Sequence, residues 1–191
     1  MNLDIFAYLL LQIVNGKNWN PIFRESNNYK NWIASLDLKT CLECKSYHGK
    51  IWNINESPDK KSPLHPNCRC LITPMKAIKS GTATNIGLNG ADWYIKKYNK
   101  LPNYYLSESD AKAQGWIPKN ANLATACKNK MIFGGIYKNF DNRLPNTEGR
   151  IWYEADINYQ EGFRNRQRIL WSNDGLVFVS FDHYKTFFEI I

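Results

Sequence analysis

Long hydrophobic runs are missing from this chain. No apolar stretch approaches the ~20 residues that a membrane span requires. The nearest, Ile5-Phe6-Ala7-Tyr8-Leu9-Leu10-Leu11-Gln12-Ile13-Val14, sits between Asp4 and Asn15-Gly16-Lys17. It has neither the basic n-region nor the small-residue cleavage site of a secretory leader. The expectation is an amphipathic packing helix, or the cut end of a longer polypeptide, and no membrane partner. Histidine is scarce at three residues, and cysteine numbers five. Cys127 and His183 are the only ones of either type beyond residue 70. Acidic residues are the minority: 17 Asp and Glu stand against 25 Lys and Arg, a net +8 in 191 residues. That balance favours a polyanionic partner without requiring one. Aromatics, by contrast, are plentiful at 14%, enough both to fill a core and to stack on bases.

The uneven cysteines and histidines divide the chain. Cys41-x2-Cys44 and His48 are followed by Leu64-His65-Pro66-Asn67-Cys68-Arg69-Cys70, and then by the small, polar run from Lys79 to Gly90. That run reads as a linker, giving a Cys/His-rich module at 1–76, a linker at 77–87 and an independent domain at 88–191. In the last of these, Ala91 to Tyr98 has helical character and is stopped by Leu101-Pro102. Ser107 and Asp110 form a weak capping pattern for a helix over Glu108 to Gln114, ended by Gly115. A third short helix is expected near Leu123 to Ala126. From Ile132 the period becomes two, with strands at Ile136-Tyr137, Ile151 to Tyr159, Arg166 to Trp171, Leu176 to Phe181 and Thr186 to Ile190. Asn173-Asp174-Gly175 signals a tight turn between two of them. Helices followed by an antiparallel meander make an α+β fold, with short helices packed on a C-terminal antiparallel sheet.

Within those strands lie Glu154, Arg164, Arg168 and His183. A strand places Glu154 and Asp156 on one face and Tyr153, Ala155 and Ile157 on the other. An acid, two guanidinium groups and an imidazole are a sufficient kit for metal-free phosphodiester cleavage. The carboxylate takes a proton from a ribose 2′-hydroxyl, the imidazole gives one to the leaving 5′-oxygen, and the guanidinium forks hold the phosphoryl charge. Taken singly, the same residues suit a cross-strand ion pair between Glu154 and Arg168 and a surface histidine.

The words around them carry more. Lys100-Leu101-Pro102, Gly115-Trp116, Asn122-Leu123-Ala124, Leu144-Pro145, Gly149-Arg150, Glu154-Ala155-Asp156-Ile157-Asn158-Tyr159, Gly162-Phe163-Arg164-Asn165, Arg168-Ile169-Leu170 and Asp182-His183-Tyr184 closely resemble the extracellular guanyl-preferring ribonucleases of bacilli, the barnase family. The resemblance covers about 88–191 and runs without a gap from Lys100 to His183. It implies a microbial ribonuclease fold that cleaves single-stranded RNA 3′ to guanine through a 2′,3′-cyclic phosphate, with no cofactor for catalysis. It assigns Glu154 as general base, His183 as general acid, Arg164 and Arg168 as phosphate ligands, Tyr184 as the ring beside the histidine, and Asp156 as the brace beneath the arginines. Arg150 matches a structural position. Tyr137, Lys138, Asn139, Phe140 and Asp141 fall where the family grips guanine, with Asp141 in the acidic role, one methylene shorter than the usual Glu. Three departures stand out: Glu108 where the family has a phosphate-binding lysine, Phe140 for an arginine, and Gly135 for an aspartate. Lost positive charge at a phosphate site implies weaker binding or lower turnover, and an altered surface for the family's inhibitor implies a different cognate immunity protein.

In the first half, Cys41, Cys44, His65, Cys68 and Cys70 offer five donors where a structural zinc needs four. Disulfides, or thiols that bind nothing, are the alternatives, and Cys127 reads as a packing thiol. Asp37 to Cys44, His48-Gly49-Lys50 and Pro63 to Cys70 are similar to the C-terminal part of phage minor head morphogenesis proteins, over about 30–75. By that analogy the nuclease is the cargo of a phage-borne toxin, secreted or delivered into a target cell, otherwise cytoplasmic. Its partners are RNA and an immunity protein. The competing readings are a phage structural protein whose nuclease fold has lost activity, and a zinc-stapled nucleic-acid-binding module using only charge.

Overall fold

Trp32 has no exposed surface, and the first part of the structure is built around it. The computed structural model describes residues 28–191, so the apolar stretch at 5–14 lies outside the described residues. Those described fall into two compact units, 28–77 and Ile78–Ile191.

The first unit holds β1 (Tyr29–Ile33), α1 (Leu42–Tyr47), β2 (Ile51–Asn53) and β3 (Leu71–Met75). The strands form an antiparallel sheet in the order β2-β1-β3, with Trp32 opposite Ile72. Trp32 packs with Ala34, Cys44, Tyr47 and Cys70, its ring 4.8 Å from that of Tyr47. Two cysteines thus belong to the core itself. A core of five buried side chains over some fifty residues is the kind that needs a staple.

The second unit contains β4 (Ala77–Ile78), α2 (Ala91–Tyr98), β5 (Tyr105–Ser107), α3 (Glu108–Ala113), α4 (Leu123–Ala126), β6 (Met131–Tyr137), β7 (Trp152–Asp156), β8 (Arg168–Ser172), β9 (Val177–Ser180) and β10 (Phe188–Ile190). Its seven-stranded sheet runs β4-β10-β9-β8-β7-β6-β5. The fold is α+β, as expected, but the sheet is mixed rather than antiparallel. β5 pairs in parallel with β6, Tyr105 against Met131 and Ser107 against Phe133. The physical reason is the connection. Parallel neighbours need a crossover, and α3 and α4 supply one between the two strands.

The helices arise from local signals. Ser107 Oγ accepts from the Asp110 N–H at 3.1 Å and opens α3, and Gly115, at φ +94°, follows its end. α2 stops at Asn99, left-handed at φ +52°, ahead of the proline expected to end it. The segment expected to act as a linker is folded onto this unit. Gly81 and Ala83 N–H groups and the Thr84 hydroxyl all donate to the buried Asp92 carboxylate, at 2.8 to 3.0 Å. Burial pushes that carboxyl up despite these bonds.

Alternation along the central strands separates two layers. Ala155, Ile169 and Val179 are buried in one set, and α2 packs against β8 and β9. In the other set, Trp152 and Leu170 pack with Leu144 beneath Tyr137 and Tyr184. Register places Glu154 opposite Leu170 and Asp156 opposite Arg168. The acidic residues of β7 therefore share one face with the arginine of β8.

Candidate active site

Asp156 is fully buried and anchors this face. Its carboxylate accepts from Arg164 Nε at 2.7 Å and Nη2 at 2.8 Å, a bidentate fork, and lies 3.1 Å from Arg168 Nη1. A buried carboxylate holding two guanidinium groups is satisfied only as an ensemble, because removing either partner strands charge in low dielectric. Arg168 also donates to the Asn165 and Gln167 carbonyls, at 2.7 and 2.8 Å. Burial works against the Arg164 charge, but the Asp156 hydrogen bonds outweigh it and raise its pKa further. Both guanidinium groups are thereby fixed in place.

Glu154 sits two residues before Asp156 and accepts from the Tyr184 hydroxyl at 2.6 Å. Burial, and then this carboxylate, push the Tyr184 phenol well above its ordinary value, so it stays a donor. The cross-strand ion pair that Glu154 and Arg168 would suit when taken singly is not formed, because Arg168 turns to Asp156, its register partner. Across the strand pair, a Cβ on Gly134 would come within 3.0 Å of Glu154 Cγ and Oε1. Gly135, next to it, has φ +88° at a register shift. The double glycine bends β6 and leaves room for the carboxylate. Sequence reasoning does not find Gly134, whose one signal is a glycine pair inside an apolar run, the mark of a bulge.

His183 lies on the loop between β9 and β10, exposed, with its ring centroid 4.7 Å from that of Tyr184. Both residues have left-handed backbones, at φ +62° and +67°. Asp182 holds this turn: its carboxylate accepts from Lys185 N, Thr186 N, Thr186 Oγ1 and Ser180 Oγ, at 2.8 to 3.0 Å. Burial works to raise the Asp182 pKa, but those bonds outweigh it and hold the value down. Tyr184 stacks at 5.3 Å on Tyr137, the last residue of β6. The structure thus gathers Glu154, Tyr184, His183 and Tyr137 around one ring, with Asp156, Arg164 and Arg168 beside them on the same sheet face.

The loop after β6 is shaped by Asn139, buried and at φ +45°, which exchanges hydrogen bonds with Leu144 at 3.0 and 3.1 Å. Lys138 and Asp141 are exposed, and Phe140 keeps 88% of its surface. Arg150 is committed to Asp174 through Nε and Nη2, at 2.6 to 3.0 Å, and to the Pro145 carbonyl at 2.9 Å. Glu108, the acidic departure, accepts from Arg164 Nη1 at 3.2 Å and pairs with Lys112 at 3.4 Å. Glu108 and Arg164 line a cleft of about 330 Å³ together with Trp116, Pro118 and Phe163. Glu154 and His183 are not among the residues that line it; His183 is exposed and Glu154 half-buried.

In the first unit, Cys41 and Cys44 Sγ lie 3.3 and 3.2 Å from His65 Nε2, and Cys44 Sγ lies 3.7 Å from Cys68 Sγ. Two donor groups, Cys41-Cys44-His65 and Cys44-Cys68-Cys70, share Cys44. His65 Nδ1–H donates to the Pro66 carbonyl at 2.8 Å, which turns Nε2 toward the thiols. Backbone N–H groups of Cys70 and Leu64 lower the Cys68 pKa, whereas burial raises that of Cys44. All five cysteines, Cys127 included, are free thiols. His48 is spent elsewhere, accepting from the Ala34 N–H at 3.1 Å. Cys127 packs with Ala111, Trp116, Leu123 and Ile132.

Two protein families match this chain. The family described as ribonuclease matches residues 90–191, and the family described as Phage Mu protein F like protein matches residues 18–73. A ribonuclease from Heyndrickxia coagulans is 43% identical over 102 residues, covering 53% of this chain and 94% of that protein. Ribonucleases from Bacillus intermedius and Bacillus pumilus are also 43% identical over 102 residues. There the aligned part spans 63% of each relative.

Proposed function

The chain belongs to the ribonuclease family, with a barnase-like domain over 90–191 behind a phage Mu F-like segment, and from that premise we propose that it cleaves single-stranded RNA 3′ to guanine without a metal. Glu154 takes the proton of the 2′-hydroxyl, which attacks phosphorus in line. His183 protonates the departing 5′-oxygen, and a 2′,3′-cyclic phosphate forms. Water opens the ring with the two roles exchanged, leaving a 3′-phosphate. Arg164 and Arg168 hold the charge that develops on the phosphoryl oxygens. The observation that carries this reading is the buried Asp156 gripping both arginines on the face where Glu154 stands. It supports a preorganised anion site, since neither guanidinium has to move when charge grows. Tyr137 to Asp141 is the proposed guanine grip, with Asp141 accepting from the base.

The experiment is digestion of a labelled RNA in excess EDTA, with the cut sites mapped. Breaks after guanine support the proposal, and breaks at every base remove the guanine preference. Uncut RNA favours the second reading, an impaired phage structural or RNA-binding protein, for which the Glu108 carboxylate on Arg164 is the specific support.

The Mu F-like segment supports a phage-borne toxin whose cargo is the nuclease, delivered into a target cell and held in check by an immunity protein. Expression of the chain alone in a bacterial cell should arrest growth, and Glu154→Ala should relieve the arrest. The cysteine module fits a structural zinc. Zn–S near 2.3 Å and Zn–N near 2.0–2.1 Å put tetrahedral ligands about 3.5–3.8 Å apart, close to the separations around Cys44. Cys41, Cys44, His65 and either Cys68 or Cys70 would hold it.

A further inference from the structure

Two loops separated by some forty residues meet at one side chain. Arg143, on the loop between β6 and β7, donates through Nη1 to the Tyr184 carbonyl at 2.7 Å and through Nη2 to the Lys185 carbonyl. Its Nε lies 3.8 Å from Asp141 Oδ2, and its guanidinium stands 5.7 Å from the Phe187 ring. The first of these partners follows His183 directly, and Asp141 is the acceptor proposed for the base.

The loop it grips is strained. His183 and Tyr184 are consecutive non-glycine residues with φ at +62° and +67°, a left-handed conformation that L-residues adopt only at an energetic cost. Such a pair persists only where surrounding contacts determine it. The bonds of Asp182 come from within the same loop and that of Ser180 from the end of β9, and the His183 N–H donates to the Arg166 carbonyl ahead of β8 at 3.0 Å. From the loop after β6, the support is the Arg143 fork, with the Tyr137 ring beneath Tyr184 at the end of that strand.

We propose that Arg143 is a positioning residue that couples base recognition at Asp141 to the placement of His183, a role that rests on the ribonuclease reading above. The Asp141 carboxylate and the two loop carbonyls share one guanidinium, Asp141 facing Nε while Nη1 and Nη2 serve the carbonyls. A base that presents two N–H donors, as guanine does, fixes Asp141 and with it the Nε end of the guanidinium, so the fork stays on Tyr184 and Lys185. A base without them leaves Asp141 unanchored, and the strained loop loses part of its support with His183 on it. Base preference then shows in kcat as well as in KM, because a misplaced acid slows the chemical step even when substrate is bound.

The test compares guanylyl-uridine with adenylyl-uridine as substrates for the full chain, its Arg143→Ala variant and its Arg143→Lys variant. Arg143→Ala should lower kcat on the guanine substrate by on the order of tenfold or more, with a smaller loss on the adenine one. The ratio of the two kcat values therefore collapses. Arg143→Lys keeps a donor for one carbonyl and should restore part of the ratio. Partial unfolding reduces both rates equally and leaves the ratio alone, so a merely structural role does not give this result. An Arg143→Ala ratio equal to that of the unaltered chain overturns the coupling while the ribonuclease reading stands. An unaltered chain that cuts neither dinucleotide removes that reading, and the coupling with it.

Discussion

Arg164 spends two of its three nitrogens on Asp156, and the third faces Glu108. A phosphate bound there as proposed displaces a carboxylate that the chain itself supplies. Because Glu108 is nearly half exposed and also pairs with Lys112, the competition is screened, and exposed pairs of this kind are worth about 0.2–1 kcal/mol. Glu108→Gln should lower KM for RNA by up to roughly fivefold, with little change in kcat, in steady-state kinetics at fixed salt. A higher KM would show that Glu108 aligns Arg164 instead of competing for it. Gly134 offers a second test at this scale. Gly134→Ala places a methyl against Glu154 Cγ and Oε1 and should reduce kcat on the order of tenfold, with a far smaller change in melting temperature. Glu154, Arg164, Arg168 and His183 are legible in the sequence because their neighbours form recognisable words. Gly134 is not, because its role depends on which residue lies across the strand, and register is a property of the folded sheet.

Elements with a strong local signal are legible to within a residue or two. Ser107 as a cap, the apolar spacing of 91–98 and the Asn-Asp-Gly turn each act over one or two turns of chain. β5 escapes a sequence reading because three residues carry too little alternation, and its pairing partner lies beyond the helices of the crossover. The mixed character of the sheet follows from that one strand. The segment after Lys79 misleads for a related reason: small polar residues suit a linker, and here their backbone N–H groups wrap a buried Asp92. The turn between β8 and β9 yields a pH prediction. The Arg150 guanidinium holds the Asp174 carboxyl down at about 2. A depressed carboxyl stabilises the fold fully above its unfolded value, near 3.9, and loses that contribution as pH falls through about 2. The melting temperatures of the unaltered chain and Arg150→Ala should differ at pH 5 and converge between about pH 4 and pH 2. A gap that stays constant over that range assigns the effect of Arg150 to packing and its bond to Pro145.

At the scale of the whole molecule, the two units have different sources of stability. The 78–191 unit rests on a seven-stranded sheet with buried layers, whereas 28–77 has a small core that includes Cys44 and Cys70. If zinc is its staple, a strong chelator should lower the melting of the first unit, release about one zinc per chain and leave RNA cleavage intact. Absence of bound zinc, with the four thiols paired as disulfides, contradicts the staple. Cysteine spacing alone could not choose among five donors, because four positions on a metal depend on side chains that the chain brings together only after Cys70.

Glu154 and His183 carry the proposed acid–base cleavage, and the products of a single dinucleotide report on both. Guanylyl-uridine incubated with the purified chain in EDTA should give guanosine 2′,3′-cyclic phosphate first and the 3′-phosphate later. Glu154→Ala and His183→Ala should each slow the first step by about 10²–10⁴-fold. Cleavage that passes through no cyclic phosphate, or that survives Glu154→Ala at full rate, would mean that this pair does not carry the reaction.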